Sequence, residues 1–297
     1  MQRQTPLLAL VGVTAIWGVT FVQVQDAIEL YPLFAFLAVR FAISTVVLAP
    51  FAFGSLRTLP RSGYAAGIGV GVLLAAAYGF QTAGLELTTV ASTGFITGLY
   101  VVLTPLLALA LFGTPVPRAL WAGVVLAVIG LLLLSGVPGG SALGNALVLA
   151  NAVFQAFQIT SMERFAPRYD PRALTFVQMA TSFIGFTVVA IALGDLEVPR
   201  GATVWGALLV TGIFAGALGY LIATWVQGRT TAARAALVFT LEAPFAALAG
   251  VLLADEILGW AGWLGCAVMM VAILVAEPAA AATLRRFASR TASPGNR

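Results

Sequence analysis

Apolar runs free of charge recur along this chain, and runs such as Leu7 to Val24 and Val90 to Phe112 hold roughly 18 to 23 residues, enough to cross about 30 Å of hydrocarbon as a helix. Ten apolar segments are separated by charges, prolines and glycines: about 7–24, 33–53, 64–85, 90–112, 119–136, 143–162, 173–194, 203–226, 235–254 and 257–276. The sequence therefore predicts an all-α membrane protein of ten transmembrane helices. Composition agrees, because 61% hydrophobic and 9% charged residues leave too little polar surface for a soluble domain, which carries about a quarter charged residues. The first run follows Arg3 but lacks an Ala-x-Ala cleavage site, so it is expected to be a spanning helix and not a signal peptide.

What the chain lacks narrows its chemistry. It has no His and no Lys, and its single cysteine, Cys266, lies in the last apolar segment. The commonest metal ligand, the usual general base and the Schiff-base amine are all missing, so neither an enzyme nor a metal or other cofactor is expected. The pI of about 9.7 comes from arginines scattered between apolar segments, which argues for membrane topology and against nucleic acid.

Those arginines orient the chain, since positively charged loops stay in the cytoplasm. With both termini cytoplasmic, the inner loops and tails hold Arg3, Arg57, Arg61, Arg118, Arg164, Arg168, Arg172, Arg229, Arg234, Arg285, Arg286, Arg290 and Arg297, while the outer loops hold only Arg200. Residues 278–297 form a basic cytoplasmic tail that reads as disordered. A bacterial inner (cytoplasmic) membrane is the expected location, with lipid as the surrounding partner and a monomer as the expected state.

The chain also repeats itself. Pro32 and Pro171, Pro105 and Pro244, and Trp121-Ala122-Gly123 and Trp260-Ala261-Gly262 are each 139 positions apart. Between the first two pairs the offset slips to 142, matching Tyr78 with Tyr220 and Thr88-Thr89 with Thr230-Thr231. The repeat lays residues 1–138, with helices one to five, onto residues 139–277, with helices six to ten. Five is odd, so the halves enter the membrane from opposite sides, the inverted arrangement with which secondary transporters alternate access to a midplane site.

Polar groups within spans are expected to face the bundle interior. Thr93, Thr97, Tyr100 and Thr104 share one face of helix four, Asn151, Gln155 and Gln158 one face of helix six, and Tyr220, Thr224 and Gln227 one face of helix eight. With Thr14, Trp17 and Phe21 on helix one, Tyr78 and Gln81 on helix three, and Phe239 and Glu242 on helix nine, they make a candidate lining suited to a zwitterion with an apolar side chain. The same residue types also join helices by packing and hydrogen bonds. Glu242, the one carboxylate well inside a span, is the candidate proton carrier, or else a packing residue beside Pro244. Arg40 is the lone intramembrane arginine. It either attracts a substrate carboxylate or serves structurally, in an ion pair with Glu86 or as a cap for outer carbonyls. Pro105 and Pro244 are candidate hinges or static kinks. The four-residue spacing of Gly67, Gly71, Ala75 and Gly79, and of Gly212 and Gly216, marks faces for close helix contact.

Ala15-Ile16-Trp17-Gly18, then Pro32, then Arg40 closing Ala-Phe-Leu-Ala-Val-Arg resemble the opening of the EamA family of the drug/metabolite transporter superfamily. The likeness continues through Thr88-Thr89-x-Ala91 to Leu103-Thr104-Pro105, and through Ala243-Pro244 to Asp255-Glu256 with a glycine-containing final helix. Departures from the family pattern are Gly113-Thr114-Pro115 after helix four, where a Gly-Glu is common, and Phe154 in helix six in place of a Trp-containing start. The resemblance implies the ten-helix inverted-repeat fold and export of small metabolites, often amino acids or amphipathic cations. The aromatic-rich interior favours aromatic amino acid exporters within that superfamily. The expected function is thus a secondary transporter exporting amino acids with aromatic or large apolar side chains, with a proton-coupled multidrug exporter as the alternative.

Overall fold

Backbone amides and carbonyls cannot be left bare in hydrocarbon, so a chain this apolar is held to elements that close their hydrogen bonds internally. The computed structural model describes residues 5–88, 90–135, 140–253 and 257–276, and its regular elements are all helical. The rods are α1 (Thr5–Ile28), α2 (Leu33–Thr58), α3 (Arg61–Leu85), α4 (Val90–Gly98 and Tyr100–Phe112), α5 (Arg118–Ser135), α6 (Ala142–Phe165), α7 (Pro171–Leu193), α8 (Ala202–Gln227), α9 (Ala232–Phe239 and Glu242–Leu253) and α10 (Trp260–Ala276). Among the described residues, eight of these are long and apolar enough to cross a membrane, while Leu7–Thr20 of α1 and Trp260–Ala276 of α10 are shorter apolar stretches. The acidic pair Asp255-Glu256 and the basic tail at 278–297 lie outside the described residues.

The helix contacts come in equivalent pairs. α3 packs on α6 as α8 packs on α1; α3 packs on α7 as α8 packs on α2; α1 packs on α9 as α6 packs on α4. α2 with α7, and α5 with α10, pair across the halves directly. Two hydrogen bonds repeat under the same relation. Ser44 Oγ donates to the Gly212 carbonyl at 2.8 Å, and Ser182 Oγ donates to the Gly71 carbonyl at 3.1 Å. Each serine also donates to the carbonyl four residues earlier, at Arg40 and at Gln178.

These bonds correct the register read from the prolines. Ser44 and Ser182 are 138 positions apart, because Pro32 caps α2 from outside whereas Pro171 is already the first residue of α7, with Asp170 as its cap. The two prolines are not structural equivalents. Asp170 accepts from the Arg172 amide at 2.8 Å and pairs with its guanidinium at 2.9 Å, and the side-chain bond from Arg172 holds its carboxyl below the usual range. Gly71 and Gly212 are 141 apart and Tyr78 and Tyr220 are 142 apart, so one residue is inserted between the second pair. Thr211–Leu218 is π-helical, the geometry that absorbs a single extra residue within a continuous helix.

Glycines set how near the rods approach. A Cβ on Gly71 would meet the Thr181 side chain and the Gln178 carbonyl, and one on Gly212 would meet Ile43 and the Arg40 carbonyl. At the α5–α10 seam a Cβ on Gly265 would sit 2.6 Å from the Gly130 carbonyl oxygen and 2.7 Å from the Leu134 amide, both backbone atoms. Large apolar side chains such as Val46, Phe51, Val72, Ile184 and Leu252 point outward from the bundle, as expected of a surface in contact with lipid.

Gly265→Ala is expected to force α5 and α10 apart and cost about 1–3 kcal/mol. In thermal melts of the purified protein in detergent its Tm falls by several degrees, whereas Gly69→Ala, whose Cβ meets nothing within 4 Å, leaves Tm unchanged or slightly raised.

Candidate functional site

Trp17 organises the centre of the bundle. Its Nε1 donates to the Ala215 carbonyl at 2.9 Å, inside the π-helical stretch of α8, and a Cβ on Gly219 would collide with the indole. The next residue, Gly18, lets α9 approach, since a Cβ there would sit 2.5 Å from the Phe245 Cβ and 2.7 Å from the Ala246 amide. The Trp17-Gly18 dipeptide thus docks an aromatic ring against α8 and admits α9 at close range.

Aromatic rings gather around this anchor. Trp17 lies 5.1 Å from Tyr220 and stacks on Phe239 at 5.4 Å. Tyr78 and Tyr220, the equivalent tyrosines of the two halves, hydrogen-bond through their hydroxyls at 3.2 Å. Phe41 meets Tyr78 edge-on at 5.6 Å and Phe186 at 5.4 Å. Each such ring pair contributes about 0.5–1.5 kcal/mol beyond area burial.

Two charged groups face this cluster. The Arg40 guanidinium lies 5.4 Å from the Tyr78 ring centre and 5.9 Å from that of Phe41. Glu242 opens the second piece of α9, is half-buried, and is near enough to feel the charge of Arg40, with Tyr100 and Tyr220 also within its field. The two form no ion pair, and the expected Arg40–Glu86 pair is absent among the described residues as well. Glu86 instead lines a crevice at the acidic end of the bundle with Pro32, Phe34 and Asp195, a helical turn or more away along α2 and α3.

The other polar residues divide. Gln81 Nε2 donates to Thr97 Oγ1 at 3.2 Å, joining α3 to α4 beside the stacked rings of Phe80 and Phe154. Gln158 is buried and donates to Gln178 Oε1 at 3.3 Å, so its amide ties α6 to α7. Asn151 is buried with an unpartnered Oδ1, Tyr100 is buried, and Gln155 is half-buried. The side chain of Phe21 lies outside the described residues. α4 breaks at Leu99, ahead of Pro105, and α9 breaks at Thr240–Leu241, ahead of Pro244, so both helices are interrupted within two turns of the equivalent prolines.

Sequence reasoning missed Phe41, Phe186, Gln178 and Glu163. The aromatic pair carries no polar atom to mark it. Gln178 stands 138 positions from Arg40, and the offset of 139 read from the prolines points to Met179 instead. Glu163 is an acid on the arginine-rich side, which is a signal in itself. It closes that end of the bundle: Oε2 accepts from the Ala232 amide at 2.8 Å and Oε1 from Thr114 Oγ1 at 3.2 Å, joining α6 to α9 and to the turn after α4. Thr231 makes no side-chain cap of its own, so the first piece of α9 is capped from another helix. All of Ala232–Phe239 except Arg234 is buried beyond that cap.

A model of the EamA-like transporter family matches residues 4–136 and again 142–276. An uncharacterized transporter from Archaeoglobus fulgidus is 31% identical over 268 residues, covering 90% of this chain and 84% of that protein. A solved crystal structure superposes with a TM-score of 0.79 at 21% identity, covering 92% of this chain and 98% of the other, so the fold is shared.

Glu163→Ala is expected to cost about 1–2 kcal/mol by removing an N-cap acceptor, read as a fall in Tm in detergent. Glu163→Gln, which keeps one carbonyl acceptor, loses less.

Proposed function

The chain belongs to the EamA-like transporter family, and from that premise we propose that it is a secondary transporter exporting amino acids with aromatic or large apolar side chains. What carries this reading is the cluster of Trp17, Tyr78, Tyr220 and Phe239, contributed by four helices of both halves and bordered by one cation and one carboxylate. Rings with polar edges suit a ligand that is flat or apolar at one end and charged at the other.

In this proposal all ten rods span a bacterial inner membrane, the halves are inverted and both termini are cytoplasmic. Alternating access then moves the halves about the Tyr78–Tyr220 contact, which joins equivalent residues. The breaks ahead of Pro105 and Pro244 lie where such motion requires backbone to bend. The arginine-rich end, closed by Glu163, is the cytoplasmic one, and opening it means breaking the bonds to Thr114 and Ala232. Lining residues are Trp17, Tyr78, Gln81, Thr97, Tyr100, Asn151, Gln155, Tyr220 and Phe239, with Gln158 as support through Gln178. The protein works as a monomer and needs no cofactor.

Reconstituted in liposomes, the protein is expected to carry labelled phenylalanine, tryptophan and leucine with saturable kinetics, and glutamate poorly. Flux indifferent to a pH gradient makes Glu242 a binding or packing group. Proton-driven flux of a quaternary ammonium dye, with no amino acid flux, overturns the substrate assignment and makes Glu242 the coupling residue of a multidrug exporter. For topology, a fluorescent protein fused after Arg297 is expected to fluoresce, and alkaline phosphatase inserted in the loop at Val198 is expected to be active. The reverse pattern inverts the orientation.

A further inference from the structure

Resting on the amino acid reading above, we propose that Arg40 is the specificity-determining residue that holds the substrate's carboxylate. Arg40 is 7% exposed and its guanidinium has no hydrogen bond or ion pair among the described residues. Its neighbours are the ring faces of Tyr78 and Phe41. Rings balance part of a cation's charge, but they accept none of the five N–H donors that a guanidinium presents in a fork. A carboxylate accepts two of them at once.

The repeat supplies an internal control on whether packing requires that charge. Gln178 occupies the position equivalent to Arg40. There the same scaffold is built with a neutral residue: Ser182 bonds the Gln178 carbonyl and reaches Gly71, as Ser44 bonds the Arg40 carbonyl and reaches Gly212. Gln178 Oε1 is engaged by Gln158, whereas Arg40 stands open toward the aromatic cluster. The helix crossing therefore forms without an arginine, and the charge present in one half alone is free for a ligand. A cation beside aromatic rings matches the carboxylate and the side chain of an aromatic α-amino acid.

The test uses the full chain in proteoliposomes with labelled phenylalanine as the reporter and phenylalanine, phenethylamine and phenylalaninamide as competitors. A charge-assisted contact to the carboxylate predicts that both competitors lacking it inhibit on the order of 10- to 100-fold less well than phenylalanine. Arg40→Gln narrows that preference to about threefold or less, and Arg40→Lys, a point charge without the fork, gives a preference between the two. If Arg40→Gln fails to fold, Arg40→Lys decides the matter. A preference unchanged in the variant, or equal inhibition by the amine and the acid in the unaltered protein, overturns the assignment while leaving phenylalanine transport standing. A fall in phenylalanine flux with the competitors' relative potencies unchanged marks Arg40 as structural. Absence of any saturable phenylalanine flux in the unaltered protein overturns the amino acid reading and this inference together.

Discussion

The Ser44 and Ser182 hydroxyls bond across to glycine carbonyls, and the centre of the molecule is built around those two contacts. A side chain as short as serine reaches the backbone of another helix where the two rods come close, and a glycine allows that approach, so the bond and the glycine act together. Each bond is modest, on the order of 0.6 kcal/mol in a membrane setting, but it fixes rotation and height of two rods at once. Arg40 stands one turn from Ser44, and Tyr78 two turns from Gly71. Their positions follow from the crossing.

The second constraint is the extra residue in α8. A strictly α-helical α8 would rotate Tyr220 by about 100° relative to Gly212, taking it out of register with Tyr78. The π-helical stretch absorbs that rotation and presents the Ala215 carbonyl to Trp17. One local irregularity thereby sets both the tyrosine pair on the symmetry relation and the indole beside it. It also gives a physical cause for the slip in repeat offset from 141 to 142 that the residue numbers record.

Symmetry in the scaffold and asymmetry in the charges divide the work of the molecule. Crossings, glycines and serines recur in both halves. Arg40 and Glu242 have no charged counterparts at the matching positions. In a low-dielectric interior, lone charges dominate the local field, so the polarity of the central site comes from two residues on an otherwise duplicated frame.

Helical segments, their order and the repeat were legible in the sequence, because lipid forces each span to close its own hydrogen bonds and so makes apolar length a direct report of structure. Helical phase likewise brought Trp17, Tyr78, Tyr220, Phe239 and Glu242 into view. Phase tells which residues share one helix face; it does not tell which neighbouring rod that face meets. That is why Gln158, on the same face as Asn151, turned out to bond Gln178, and why Arg40 met rings in place of Glu86. Helix rotation and crossing are decided by where glycines admit another backbone and where an extra residue is absorbed, both properties of pairs of helices. The chain by itself determined the apolar segments and the charges available to them, and the tertiary packing decided which neighbours each of those charges meets.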